Sequence, residues 1–308
     1  MFAESRRVCP DGPSTPQSPE GDQGTPHPSA LSSTPPETIA PQDFEAVRRF
    51  VRDESAVVLE PGKEYLVQTR LSPLVRELKL TSIAELVAQA RLAPGREVYR
   101  RIVEAMVTTE TSFFRDHTPF EALRKTVIPD LITRRRDTRR LRIWCAASST
   151  GQEPYSIALL LREHFPQLAG WELSLIASDL SREVLERARQ GRYNQVEVNR
   201  GLPASFLVKY FDQHGVQWQL KSDIRSMVDF REINLALDWP ALPLFDLVLI
   251  RNVMIYFEVE TKKTILRKLV RLLQPDAYLL LGGAETTFNL DDSYRRVGSL
   301  RTGVYQLA

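Results

Sequence analysis

The chain's 308 residues, 43% hydrophobic and 26% charged, suffice for about two cores, and a formal charge of +2 argues for neither nucleic acid nor an anionic membrane surface. Two cysteines, Cys9 and Cys145, cannot build a disulfide framework or a four-ligand zinc site, so a reducing compartment is expected. No apolar run reaches the roughly 18–20 residues of a membrane span, and the polar start lacks a secretory signal's apolar core, so a cytoplasmic protein without membrane insertion is expected.

Nine of the 20 prolines fall between Pro10 and Pro41, among Ser, Thr, Gly and Gln, and residues 1–40 read as a disordered Pro/Ser-rich tail. Residues 41–107 have a helical texture: Phe44, Val47, Phe50 and Val51 share one helix face, and Ile83, Leu86, Val87 and Ala90 another. Lys63, Arg70, Arg76 and Lys79 give this unit a basic bias that could meet acidic partner helices but is read first as a solvated face, with Pro73 placed to interrupt the helical phase.

Residues 108–134 form a linker and a first helix, and 135–308 alternate short aliphatic runs with amphipathic helices. The runs at 141–146, 173–177, 247–250 and 277–281, with helices from Glu153, Ser181 and Glu260, predict a doubly wound α/β sheet with parallel strands. Between 193 and 230 a helical piece at 206–211 precedes strand-like runs at 216–220 and 226–230, read together as a small antiparallel excursion. Runs at 294–297 and 303–306 predict an antiparallel edge hairpin. The basic cluster at 134–140 reads as a solvated helix end, and Cys145 as a packing residue.

The first run leads through Ala146 into small residues around Gly151, at a strand's carboxyl end where open α/β sheets bind ligands. Asp179 ends the second run, placed to accept both hydroxyls of a ribose, though Asp followed by Ser181 is equally a helix N-cap signal. Neither a phosphate loop with its Lys nor GxGxxG is present, so a nucleoside without pyrophosphate fits better. Four scattered histidines offer no metal-ligand spacing, and no metal is expected.

Three long stretches carry a family resemblance. TTETSFFRD at 108–116, WCAASSTGQEPYS at 144–156 and FDLVLIRNVMIYF at 245–257 resemble, in order, the signatures of CheR-type chemotaxis-receptor methyltransferases. The resemblance covers the chain from about Phe44 to its end. It implies a Rossmann-like class I methyltransferase sheet with a small antiparallel β-subdomain, preceded by an all-helical domain. The implied cofactor is S-adenosylmethionine, leaving S-adenosylhomocysteine, and the implied reaction esterifies glutamates on the cytoplasmic domain of methyl-accepting chemoreceptors during chemotactic signal transduction. Carried over by motif, Asp179 holds the ribose, Asn234 and Leu235 flank the adenine, and Glu153, Thr111 and Arg115 face the methionine. Thr109, Ala146 and Gly151 also belong to the implied cofactor site, which Arg251, Asn252 and Val253 complete beneath Tyr256.

Two residues are implied to act on the acceptor. Arg115 is the candidate to orient a carboxylate, its plainer reading being a surface ion pair with Asp116 or a neighbour, and Tyr256 the candidate to line the transfer site, its plainer reading being a buried strand-end aromatic. Departures from the family pattern fall at Thr109, where Asn is usual, at Gln152, which replaces the first Glu of a pair, and at 282–285, where Gly-Gly-Ala-Glu replaces Gly-His-Ser-Glu. The stretch Asp212-Gln213-His214-Gly215 is shorter than expected of members that tether a receptor-tail pentapeptide, so an enzyme working without a tether is expected; a monomer is expected separately. Two other readings of the pocket stay open: methylation of another protein or a small carboxylate, and a non-catalytic nucleoside-binding signalling module.

Overall fold

The computed structural model describes residues 39–298, 300 and 302–308. The expectation of a disordered tail therefore lies outside the described residues, except that Ile39 is buried in the first core and Ala40 precedes the first helix.

Four helices come first, α1 (Pro41–Ser55), α2 (Glu64–Glu77), α3 (Ile83–Leu92) and α4 (Glu97–Met106). Their apolar faces meet around Val47, Val51, Val67, Leu71, Leu86 and Ile102, all inaccessible to solvent. α2 runs through Pro73 without a break, so the expected phase interruption does not occur. Arg70 is no solvated cation. Its guanidinium donates to the carbonyls of Met106 (2.6 Å) and Val107 (3.2 Å), and burial lowers its pKa.

Beyond these helices the described residues form ten strands and eight more α-helices. The strands are β1 (Arg140–Ala146), β2 (Glu172–Asp179), β3 (Arg192–Asn194), β4 (Phe211–His214), β5 (Gln217–Leu220), β6 (Val228–Glu232), β7 (Phe245–Ile250), β8 (Leu273–Leu281), β9 (Tyr294–Arg296) and β10 (Val304–Leu307). The helices are α5 (Thr118–Ala122), α6 (Ile128–Arg134), α7 (Gln152–His164), α8 (Arg182–Gln190), α9 (Gln195–Asn199), α10 (Ala204–Tyr210), α11 (Ser222–Arg225) and α12 (Val259–Val270).

The main sheet has the order β6-β2-β1-β7-β8-β10-β9, with the first five parallel and β10 antiparallel to both its neighbours. Alternate residues feed the two faces, as the pleat requires: Ile143 and Cys145 enter the core under α7 and α8, Trp144 and Ala146 the core under α12. This is the expected α/β doubly wound architecture with its edge hairpin. Among the described residues no helix is long and apolar enough to cross a membrane, and no His, Cys, Asp and Glu cluster could hold a metal ion.

The antiparallel excursion differs from its prediction. The small sheet has the order β3-β5-β4, and the run at 226–230 is not in it: that run forms β6, which pairs parallel with β2 at the edge of the main sheet. Residues 212–214 are likewise not a connection but part of β4, whose hairpin with β5 closes through Gly215 and Val216 alone. One residue of the basic cluster departs from the solvated reading, while Arg134, Arg136, Arg139 and Arg140 are exposed. Arg135 binds Asp246 Oδ1 (2.6 Å) and both carboxylate oxygens of Asp276, anchoring the end of α6 beneath β7 and β8. Cys145 is fully buried, its thiol pushed up by desolvation, as a packing residue should be.

Candidate active site

The chain order reverses at β1, which has β2 on one side and β7 on the other, and open sheets form a crevice at the carboxyl ends of such strands. A cleft lies there. Its walls come from the carboxyl-terminal ends of four strands and the turns beyond them: Ala147, Ser149 and Glu153 after β1, Asp179 and Leu180 at β2, Ile233 to Leu235 after β6, and Arg251 to Val253 after β7. The far side is closed by Ser55 and Val57 at the end of α1 and by the segment after α4 that carries Thr108, Glu110, Thr111 and Arg115.

Asp179 is 7% exposed and its carboxylate is held by main chain, accepting from the N–H of Ser149 (2.8 Å) and of Ser181 (3.1 Å). Burial raises its pKa, and those backbone bonds offset part of the rise. The N-cap of α8 is Ser181, whose hydroxyl accepts from Val184 N, so Asp179 is left to face the cleft. Glu153, in the first turn of α7, accepts from Arg251 Nη1 at 2.8 Å. Burial raises the Glu153 pKa as well, against the lowering by Arg251.

Arg251 is 1% exposed in its side chain and also donates through Nη2 to Asp116 (2.8 Å) and to the Arg115 carbonyl (3.1 Å), stacking over Phe120. Its Nε is buried without a partner among the described residues. One side chain thereby fastens the 108–116 segment to the β7 end.

That segment is fixed by its two phenylalanines. Phe113 and Phe114 are buried in the core under α7, and Ser156 Oγ accepts from the Phe114 N–H at 2.9 Å. The chain then turns so sharply that Phe114, Asp116 and His117 all have positive φ, a strained stretch of the kind that sites concentrate. Arg115 emerges half-buried at the cleft, with Nη1 on the Glu110 carbonyl at 3.1 Å. The Arg115–Asp116 ion pair of the plainer reading does not form: Asp116 pairs with Arg251 instead. Tyr256 is half-buried and lines the cleft, with Arg70 within electrostatic reach behind it.

Of the residues singled out in the sequence, Thr111, Arg115, Glu153, Asp179, Asn234, Leu235, Arg251, Asn252, Val253 and Tyr256 line this cleft together. Thr109, Ala146 and Gly151 do not. Thr109 is exposed and offers its carbonyl to Ser149 Oγ (2.6 Å), and Ala146 points into the core under α12. Gly151 starts α7 at φ +92°, and a Cβ there would sit 3.0 Å from Ala188 Cβ and 3.1 Å from Tyr155, so it serves the turn and the packing. The Asn234 amide is occupied in holding its own turn: Oδ1 accepts from Ala236 N (2.9 Å), and Nδ2 donates to the Glu54 carbonyl (2.6 Å).

Sequence reasoning missed the contribution of α1. Val57 bridges Phe257 and the Val58 N–H donates to the Tyr256 carbonyl at 3.0 Å, contacts that no local pattern announces. It also assigned nothing to Glu285, whose carboxylate takes up the turn after β7.

Comparison with known proteins gives this geometry a family. Residues 42–107 match the CheR methyltransferase all-alpha domain and residues 109–302 the CheR methyltransferase SAM binding domain. A "Chemotaxis protein methyltransferase Cher2" of Pseudomonas putida is 39% identical over 86% of this chain and 97% of its own. "Chemotaxis protein methyltransferase 1" of Pseudomonas aeruginosa is 41% identical over 84% of this chain and 96% of its own, and "Chemotaxis protein methyltransferase" of Vibrio parahaemolyticus 36% identical over 88% and 98%. With both domains matched in order over nearly all of the described residues, the chain belongs to the CheR methyltransferase family.

Proposed function

We propose that this protein is a cytoplasmic enzyme that transfers the methyl group of S-adenosylmethionine to glutamate side chains on chemoreceptors, forming glutamyl methyl esters for chemotactic adaptation. The cleft suits that cofactor. Asp179, held among the described residues by backbone N–H groups alone, keeps lone pairs for ribose hydroxyls. Leu235 and the main chain at Asn234 would flank the adenine, while Thr111 and the Glu153–Arg251 pair would meet the charged amino-acid end. When bound, the cofactor supplies a methyl group activated by a sulfonium.

The protein's own task is placement. A glutamate carboxylate with a pKa of about 4.3 is ionised at neutral pH and has no proton to remove. Fixing it against the methyl group is worth up to roughly 7–11 kcal/mol.

The observation that carries the ester reading is the unengaged part of the Arg115 fork at the cleft. Arg115 has one N–H on the Glu110 carbonyl and, among the described residues, no partner for the rest of its fork. The lining carboxylates are committed: Glu110 to Arg200, which lowers its pKa, Glu153 to Arg251, and Asp179 to main-chain N–H groups. A carboxylate acceptor can take the rest of the Arg115 fork and has no proton to lose, whereas a protonated amine would be repelled by that guanidinium and would first need a base. The test is labelled methyl transfer to receptor cytoplasmic fragments, followed by mild alkali. Label released as methanol is expected; alkali-stable label would point to nitrogen methylation and end the proposal.

We further read the enzyme as a monomer that acts without nucleic acid and without capturing a receptor-tail pentapeptide. The support for the last point is the two-residue closure between β4 and β5, which leaves no long loop beside that sheet. Micromolar binding of such a pentapeptide in calorimetry would remove it.

A further inference from the structure

The loop after β8 returns to the cleft through a buried acid. Glu285 is 8% exposed, and its carboxylate accepts four main-chain hydrogen bonds. Oε2 takes the N–H of Gly282 (2.7 Å) and of Asn252 (2.9 Å), and Oε1 takes those of Val253 (2.9 Å) and Met254 (2.8 Å). Three of these donors are consecutive residues of the turn after β7, two of which line the cleft.

The turn needs such a clamp. Asn252 has φ +57°, a left-handed conformation that costs a non-glycine residue free energy. Its N–H points the same way as the next two, and three aligned, partly buried donors converging on one point favour an anion there. Among the described residues no backbone carbonyl accepts from the N–H of Asn252 or Val253, and Glu285 supplies that anion from 31–33 residues away.

Gly282 is shaped for the same purpose. A Cβ at 282 would lie 2.6 Å from Glu285 Oε2, 2.9 Å from Asn252 N and 3.0 Å from Asn252 Nδ2, so any side chain there would displace either the carboxylate or the turn. The clamp also lies close enough to the site to be felt electrostatically: its charge adds to the rise of the Glu153 pKa.

We propose that Glu285, seated through Gly282, is a positioning residue that fixes the Asn252–Val253 wall of the cofactor cleft. It is not among the residues that line the cleft, and it acts through the backbone it holds. This rests on cofactor binding in the cleft, and not on which acceptor is methylated.

The test is Glu285→Gln, which keeps the shape but turns an NH₂ group toward one pair of the N–H donors. In the ligand-free protein, amide exchange at Asn252, Val253, Met254 and Gly282 should accelerate at least about tenfold, while amides in β1 and β2 keep their protection. S-adenosylmethionine affinity by calorimetry should fall about 10–100-fold, the scale of a misplaced wall. Gly282→Ala should reproduce both effects with the acid intact, and it stands in if Glu285→Gln does not fold. Glu285→Asp, one methylene shorter, should restore neither. Unchanged cofactor affinity in a folded Glu285→Gln protein whose four amides exchange faster would reduce Glu285 to a structural residue and overturn the proposal, as would unchanged exchange. If the unaltered protein failed to bind S-adenosylmethionine, the cleft assignment would fall first.

Discussion

Burying a carboxylate is unfavourable unless hydrogen bonds or a counter-charge replace its water, and the cleft does this in two ways. Asp179 is satisfied by main chain and Glu153 by Arg251, and burial raises the pKa of each. The folded protein thus binds these protons more tightly than the unfolded chain does. Their contribution to stability is greatest below the unfolded values of about 3.9–4.3 and is lost as pH rises through the higher folded ones. Asp179→Asn should therefore flatten the dependence of the urea midpoint on pH above about 4. Cofactor affinity should run the other way, weakening on acidification in the unaltered protein because the ribose needs the ionised carboxylate, with a shallower slope in Asp179→Asn. Arg115 stands apart from these buried groups because its fork is largely unengaged. Arg115→Ala should abolish methyl transfer, by about 100-fold or more in kcat, with only a modest change in cofactor affinity by calorimetry. Retained turnover on receptor fragments would remove Arg115 from the acceptor site.

At the scale of elements, strands were legible where burial on both faces writes a continuous apolar run, as in β1 and β7. The motif residues at their carboxyl ends came with them. Partnership was not legible. The run that became β6 looks like a strand in any sheet, and only its distant pairing with β2 decides which one. β3, three residues long, is too short for alternation to show. Helix α2 illustrates the same limit: its basic residues suggested a solvated face, yet Arg70 uses its fork to tie α2 to the end of α4 and to the 107–108 segment that enters the cleft. Hydrogen bonds from a charged group are worth about 1.5–3 kcal/mol, so Arg70→Ala should lower unfolding free energy by about that much in urea titration. Arg70→Lys, lacking the fork, should recover only part of it.

Over the whole molecule, the cleft is shared between the helical unit and the sheet. The Glu54 carbonyl receives Asn234 Nδ2, Glu104 receives the Ser181 hydroxyl (2.8 Å), and Val57 reaches Phe257. The helical partners in these contacts belong to no motif, since a contact between distant segments leaves no local periodicity to read. Asn234→Ala should thus weaken cofactor binding by about tenfold, through loss of both its own turn and its tie to α1, while the midpoint of thermal unfolding moves by only a few degrees. An unchanged affinity would show that the α1 end contributes nothing to the cleft.

The two acids gripped by main chain, Asp179 and Glu285, have a bearing on inheritance. An amide proton belongs to every residue except proline, so the donors that hold these carboxylates persist whichever side chains drift into positions 149, 181, 253 or 254. Such a site can accept much substitution around it and keep its shape. Its vulnerability is narrow, resting on the acids themselves and on the absence of a side chain at Gly282.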